Sequence, residues 1–126
     1  MEDRLKKSES TQVKLVMPVH LNSNNYLFGG IAMKWMDEVA FITATRFLRK
    51  KLTTVSVENI KFIHAINIGD IIEISGKISN LGAVKMNVKV DVYRETRESD
   101  ISEKVIEANF ILAIINENGK PMRLEK

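Results

Sequence analysis

The residues able to do chemistry gather in one short stretch. From His20 to Gly30 the order is His-Leu-Asn-Ser-Asn-Asn-Tyr-Leu-Phe-Gly-Gly, rich in residues that accept positive φ or bond to their own backbone. Gly29 and Gly30 lead straight into a run free of Gly and Pro, so the unpaired N–H groups of a helix start face whatever fills the loop's mouth. Such donors polarise a carbonyl oxygen. Glycine at both positions lets a ligand approach the backbone where a Cβ would stand in its way. For a Gly-Gly pair alone, a flexible helix start is the plainer reading.

Asp37 is the second chemical element. On a helical wheel it falls on the flank of Met33, Phe41, Ala44 and Leu48, whereas Glu38 joins a charged stripe with Lys34 and Arg49. A carboxylate among apolar neighbours is a stronger proton acceptor, suited to activating a water or attacking directly. The competing reading is a second-turn acid placed to favour the helix dipole.

Other chemistries lack their residues. The chain has no cysteine, which removes disulfides, thiolate metal sites and a cysteine nucleophile. Its two histidines, His20 and His64, lie far apart and form no metal spacing, so no metal site is expected. Neither a Gly-x-Ser-x-Gly elbow nor a phosphate-binding Gly-rich loop occurs. His64 reads as a local hydrogen-bonding residue, Trp35 as packing, and Met17, Met33, Met36 and Met86 as core.

These groups need elements to hold them. Thr11 to Met17 alternates Val13, Leu15 and Met17 against polar positions, the period of a half-buried strand, and Pro18 ends it. Ile31 to Lys51 predicts a helix of about five turns. Its wet stripe is Lys34, Glu38, Thr45 and Arg49; Ala32, Met36, Val39, Ala40, Thr43 and Phe47 gather opposite. Beyond it the period becomes two. Strands are expected over Thr53 to Phe62, Ile71 to Ser79, Val84 to Tyr93 and Val105 to Ile115, with turns at Gly69-Asp70, Gly82 and Asn118-Gly119. Short turns force antiparallel neighbours, and a helix with one apolar face must lie on the sheet. The expectation is an α+β domain whose curved sheet wraps the helix, with open edges suited to dimerisation.

The 126 residues, 44% of them hydrophobic, suffice for one domain, 1–126, with one core. The charged start, residues 1 to 10, reads as a mobile tail. It lacks the apolar region of a signal peptide, and no segment has about 18 uninterrupted apolar residues, so a soluble cytoplasmic protein without membrane contact is expected. A net charge of +3 mildly favours anionic partners. Aromatics are 6% and not interleaved with the cations, so no nucleic-acid partner is expected.

The run from Asn22 to Ala40, with Leu27-Phe28-Gly29-Gly30, Met33 and Trp35-Met36-Asp37-Glu38-Val39-Ala40, resembles the acyl-CoA thioesterases of the hotdog fold. The likeness continues through Ala44-Thr45-Arg46, Thr53 to Phe62, Ile68-Gly69-Asp70 and Val84-Lys85-Met86, spanning roughly residues 15 to 116. It implies a central helix wrapped by about five antiparallel strands, subunits joined edge to edge with sites between them, and hexamers built as trimers of dimers. It also implies hydrolysis of fatty acyl-CoA to free acid and CoA without cofactor or metal. The catalytic acid falls on Asp37, and the donors near the thioester carbonyl on Gly29 and Gly30, with Asn22 and Asn25 as partners for the acid. Phe28, Ser56, Arg46 and Lys85 fall on substrate-contacting positions, the last two supplying charge toward the CoA phosphates. Relatives often have Arg where Ala83 stands and proline where Ala65 stands. A non-catalytic acyl-CoA-binding or sensing module is the alternative, though no helix-turn-helix or second domain provides an output.

Overall fold

The computed structural model describes residues 1–124. The long helix, α2, runs Gly29–Leu48 and stops where Arg49 takes a left-handed φ of 54°, its N–H capping the Thr45 carbonyl. A short helix α1 (Glu2–Ser8) and strand β1 (Ser10–Leu15) precede it; β2 (Leu52–Phe62), β3 (Ile71–Leu81), β4 (Lys85–Glu95), β5 (Glu103–Ile115) and the two-residue β6 (Pro121–Met122) follow. The sheet order is β1-β3-β4-β5-β2, every pairing antiparallel, with β6 added to β5. The β3–β4 hairpin follows from its short turn at Gly82, and β4 and β5 are joined by the longer polar connection of residues 96–102. The segment between β2 and β3 instead carries the chain to the other side of the sheet, which leaves β2 at one edge and β1 at the other.

The sheet curls around α2. Met36, Val39, Ala40, Thr43 and Phe47, the face given by the 3.6-residue period, are buried against Ile72 and Ile74 of β3, Val88 and Val90 of β4, and Phe110 and Leu112 of β5. Burying each large side chain of this set contributes about 1.5–3 kcal/mol before entropy is counted. Helix and sheet approach closely at Gly76: a Cβ there would stand 2.7 Å from Thr43 Oγ1 and 2.9 Å from Val39 Cγ1. Thr43 turns its hydroxyl back to the Val39 carbonyl at 2.9 Å, so it is buried without an orphaned polar group.

Three expectations are corrected. Residues 1 to 10 are not a mobile tail. They form α1 and the start of β1, with Leu5 against the core, the Arg4 guanidinium 4.6 Å from the Phe47 ring and bonded to the Phe47 carbonyl at 2.6 Å. Cations at its last turn and acids at its first suit so short a helix, which packing on α2 stabilises. The alternation in β1 has the right period and the opposite phase. Val13 and Leu15 are 63% and 52% exposed, while Gln12 and Lys14 turn toward α2. A shift of one residue exchanges the faces of a strand, and period alone does not say which face is inward. Met17, expected in the core, is exposed, whereas Met36 and Met86 are fully buried.

Candidate active site

The asparagine-rich loop is a nested set of turns. A 3-10 turn over Pro18–His20 leads to a bridge between Leu21 and Leu27. Inside the bridge, Asn22 Oδ1 accepts the N–H groups of Asn24 (2.9 Å) and Tyr26 (3.1 Å), and Asn25 adopts φ 66°. Leu27 N–H donates to the Ile66 carbonyl and Phe28 N–H to that of His20, fixing how the chain meets α2. The first intrahelical bonds go from Ile31 and Ala32 to the Phe28 carbonyl, so the N–H groups of Gly29 and Gly30 have no protein acceptor among the described residues. A Cβ on Gly30 would meet nothing within 4 Å, which leaves open space beside those donors. They form the positive end of a 20-residue helix dipole. A cavity of about 350 Å³ opens here, lined by Asn22, Tyr26, Gly29, Phe62, His64 and Ile66.

Asp37 lies two turns further along α2 and faces a different depression. It is half-buried, and its Oδ1 accepts a 2.7 Å hydrogen bond from Thr54 Oγ1 on β2. An open groove of about 520 Å³ runs past it, walled by Gln12, Lys14, Glu38, Phe41 and Ile42. The flank is therefore apolar on the helix, as the wheel implies, and polar on the facing strand. Lys14 holds its ammonium 5.6 Å from the centre of the Trp35 ring.

The remaining site residues are dispersed. Asn22 lines the cavity beside Gly29, with its carbonyl oxygen engaged in the turn. Asn25 is exposed at the loop tip, and Phe28 is the half-exposed residue before the helix. Ser56 is half-buried on β2, its hydroxyl 3.4 Å from Glu58 Oε2. Lys85 is exposed at the start of β4, remote in the pairing from the glycines. Arg46 is committed inside the chain, donating to Glu9 O and Ser10 Oγ at 3.1 Å each, and so ties α2 to the α1–β1 junction. His64 is 4.0 Å from Glu103 and borders the cavity. Thr54, Gln12 and Lys14 were not singled out in the sequence, although Thr54 lies in the strand that resembles the family. No cluster of His, Cys, Asp or Glu among the described residues could hold a metal ion.

One long helix wrapped by a curled antiparallel sheet, with an open glycine pair at the helix start and an acid two turns on, is the hotdog fold. A sequence model of the thioesterase superfamily matches residues 24–101, and the chain belongs to that family. It is 33% identical to the mouse cytosolic acyl coenzyme A thioester hydrolase over 117 residues, 91% of this chain and 31% of the relative, so it spans about a third of that protein. The crystal structure of an acyl-CoA hydrolase from Bacillus cereus superposes with a TM-score of 0.90 at 26% identity, covering 97% of this chain and 74% of that one. An aspartate-to-alanine mutant of a hexameric broad-specificity acyl-coenzyme A thioesterase gives 0.83 at 27% identity, covering 91% and 85%.

Proposed function

We propose that the protein hydrolyses the thioester of fatty acyl-CoA, with Asp37 as general base and the N–H groups of Gly29 and Gly30 as the oxyanion site. Asp37 takes a proton from water, and the oxygen adds to the thioester carbonyl. Charge develops on the carbonyl oxygen, which the helix-start donors stabilise, and the CoA thiolate leaves as the acid forms. The observation that carries this reading is that one helix bears both an acid held by Thr54 and, at its start, two N–H groups in open space with no protein acceptor among the described residues. The names of the mouse and Bacillus relatives support the same chemistry.

Within one chain, Asp37 and the glycines face separate depressions. Strand β2 offers the means to join them. Its outer edge has no strand neighbour among the described residues, Val55, Ile60 and Phe62 along it are exposed, and its two ends serve the two half-sites. Thr54 near one end bonds Asp37, while Phe62 at the other lies over Gly29, 3.5 Å from where a Cβ would stand. Antiparallel pairing with a second β2 about the strand centre sets Asp37 beside the partner's Gly29 and the partner's Gly30. The protein then works as a dimer at least, and a hexamer accords with the hexameric thioesterase it resembles. Among the described residues no helix is long and apolar enough to cross a membrane, and the mouse relative is named cytosolic; a cytoplasmic enzyme fits both.

The test is release of free thiol from acyl-CoAs of graded chain length, with light scattering of the same sample. Turnover by an assembled protein is expected. Binding of acyl-CoA without thiol release would make it a binding module, and an active monomer would refute the shared site. Mixing Asp37→Asn with Gly30→Val chains, each inactive alone, should restore part of the activity.

A further inference from the structure

We propose that His20 is a positioning residue for this site: its neutral imidazole holds the chain at the angle that presents Gly29 and Gly30, and its protonation releases that hold. The inference rests on the thioesterase reading only for its kinetic arm. Three bonds converge on His20. Its N–H donates to the Met17 carbonyl at 2.9 Å, its Nδ1 accepts the Met17 N–H at 3.0 Å, and its carbonyl accepts Phe28 N–H at 2.9 Å. The residue thus joins the end of the β1 segment to the residue immediately before the glycine pair. Asn22, whose side chain organises the loop, follows two positions later.

The second of these bonds exists in only one protonation state. A nitrogen that accepts an N–H carries a lone pair, so the proton of the neutral ring sits on Nε2. The imidazolium has donors at both nitrogens, and Nδ1–H would then confront Met17 N–H. The ring cannot swing away without cost, because it stands edge-on against Trp35 of α2, centroids 4.9 Å apart at 84°. Loss of the bond therefore loosens the backbone whose other end is pinned to Phe28. Histidine is the residue type that exchanges a proton between about pH 5 and 8. The charged group sharing the Trp35 ring is Lys14 of β1, and Lys34 and Glu38 flank Trp35 on α2; none of the described ion pairs includes His20.

The experiment compares wild type, His20→Asn and His20→Ala. Asn places Oδ1 as many bonds from the backbone as Nδ1 and accepts the same N–H, but does not titrate. With acyl-CoA as substrate, wild-type kcat should fall as pH drops through the imidazole titration followed by NMR. His20→Asn should keep kcat within about threefold at neutral pH and lose that acid limb. His20→Ala should lower kcat roughly ten- to a hundred-fold at every pH with KM little changed, as expected when reacting groups are displaced by about an ångström. Wild-type kcat in His20→Ala, or an unshifted limb in His20→Asn, would overturn the proposal. A readout independent of turnover uses glycine-selective 15N labelling of the six glycines. The Gly29 and Gly30 amide signals should move with the His20 imidazole titration in wild type and lose that component in His20→Asn; signals indifferent to His20 refute the hold. Failure of wild type to hydrolyse any acyl-CoA, with the glycine signals coupled, would instead refute the thioesterase reading alone.

Discussion

Thr54 and Asp37 are joined by a 2.7 Å hydrogen bond that runs from the edge strand of the sheet to the central helix. The hydroxyl occupies one lone pair of Oδ1 and fixes the plane of the carboxylate, so the remaining oxygen has a defined direction. Thr54→Val keeps the β-branched shape and removes the donor. It should lower kcat about tenfold with an unchanged circular dichroism spectrum, and Thr54→Ser should recover most of the loss. Equal kcat in Thr54→Val and wild type would show that the carboxylate needs no orientation.

Asp37→Asn preserves shape and removes the proton acceptor. Thiol release should fall on the order of 100-fold or more, while CoA affinity measured by calorimetry stays near wild type. Glu38→Gln, on the exposed stripe of α2, should remain within a few-fold of wild type. A comparable loss in both variants would point to the groove's total charge as the cause.

Gly30→Ala isolates the approach of substrate from the stability of the helix. The added Cβ meets no protein atom within 4 Å, and Ala is the better helix former, so the melting temperature should hold or rise slightly. The same methyl enters the space beside the open N–H groups, so kcat/KM should drop at least tenfold. Full activity in this variant would place the thioester carbonyl elsewhere.

Gly76→Ala should do the reverse. Its Cβ would stand 2.7 Å from Thr43 Oγ1 and 2.9 Å from Val39 Cγ1, both on fully buried residues of α2. Pushing helix and sheet apart costs about 1–3 kcal/mol, visible as a lower urea midpoint, with activity per folded molecule largely kept. An unchanged midpoint would mean the helix slides freely on β3.

The face of the sheet turned away from α2 carries a charge ladder, in which Lys89 Nζ lies 3.1 Å from Glu107 and Lys104 Nζ lies 3.3 Å from Asp91. The hydrogen bond from Lys89, with the charges of Lys89, Lys104 and Lys61, holds the Glu107 carboxyl below its usual range against a smaller opposing effect of burial. A carboxyl depressed in the folded state contributes stability above its unfolded pKa, and that contribution fades as pH falls through the folded value. For Lys104, burial acts to lower the pKa, and Asp91, Tyr93 and Glu107 together overcome it; that share is present below the unfolded value and disappears as pH rises through the folded one. Urea unfolding against pH should show a smaller loss between pH 5 and 3 in Glu107→Gln than in wild type. Parallel curves would indicate that the ladder is screened by water.

The period of Ala32, Met36, Val39, Ala40, Thr43 and Phe47 was enough to orient α2, and the strict alternation from Met86 to Val92 was enough to orient β4, because each buries a face that is apolar apart from Thr43, whose hydroxyl is satisfied within the helix. Gly29, Gly30 and Asp37 stood out as candidates from the sequence only through their combination, since a glycine pair alone reads as a flexible helix start and a lone second-turn acid as a partner of the helix dipole. Thr54 was not, since nothing local distinguishes a threonine that reaches a residue on another element from one that merely suits a strand. Strand β1 misled for a related cause: its inward positions, Gln12 and Lys14, serve a groove, and a strand beside a site does not have to bury its apolar side. Arg4 and Leu5 bind through tertiary contacts that a charged composition conceals.

The register of β2 against β5 slips twice, between Thr54 and Ser56 and again between Glu58 and Lys61, and Asn59 sits there at φ 54°. An unpaired rim that kinks in this way makes a poor template for endless stacking, because an incoming flat strand cannot match its donors and acceptors over more than a few residues. A single chain is thereby shielded from fibril growth along this edge.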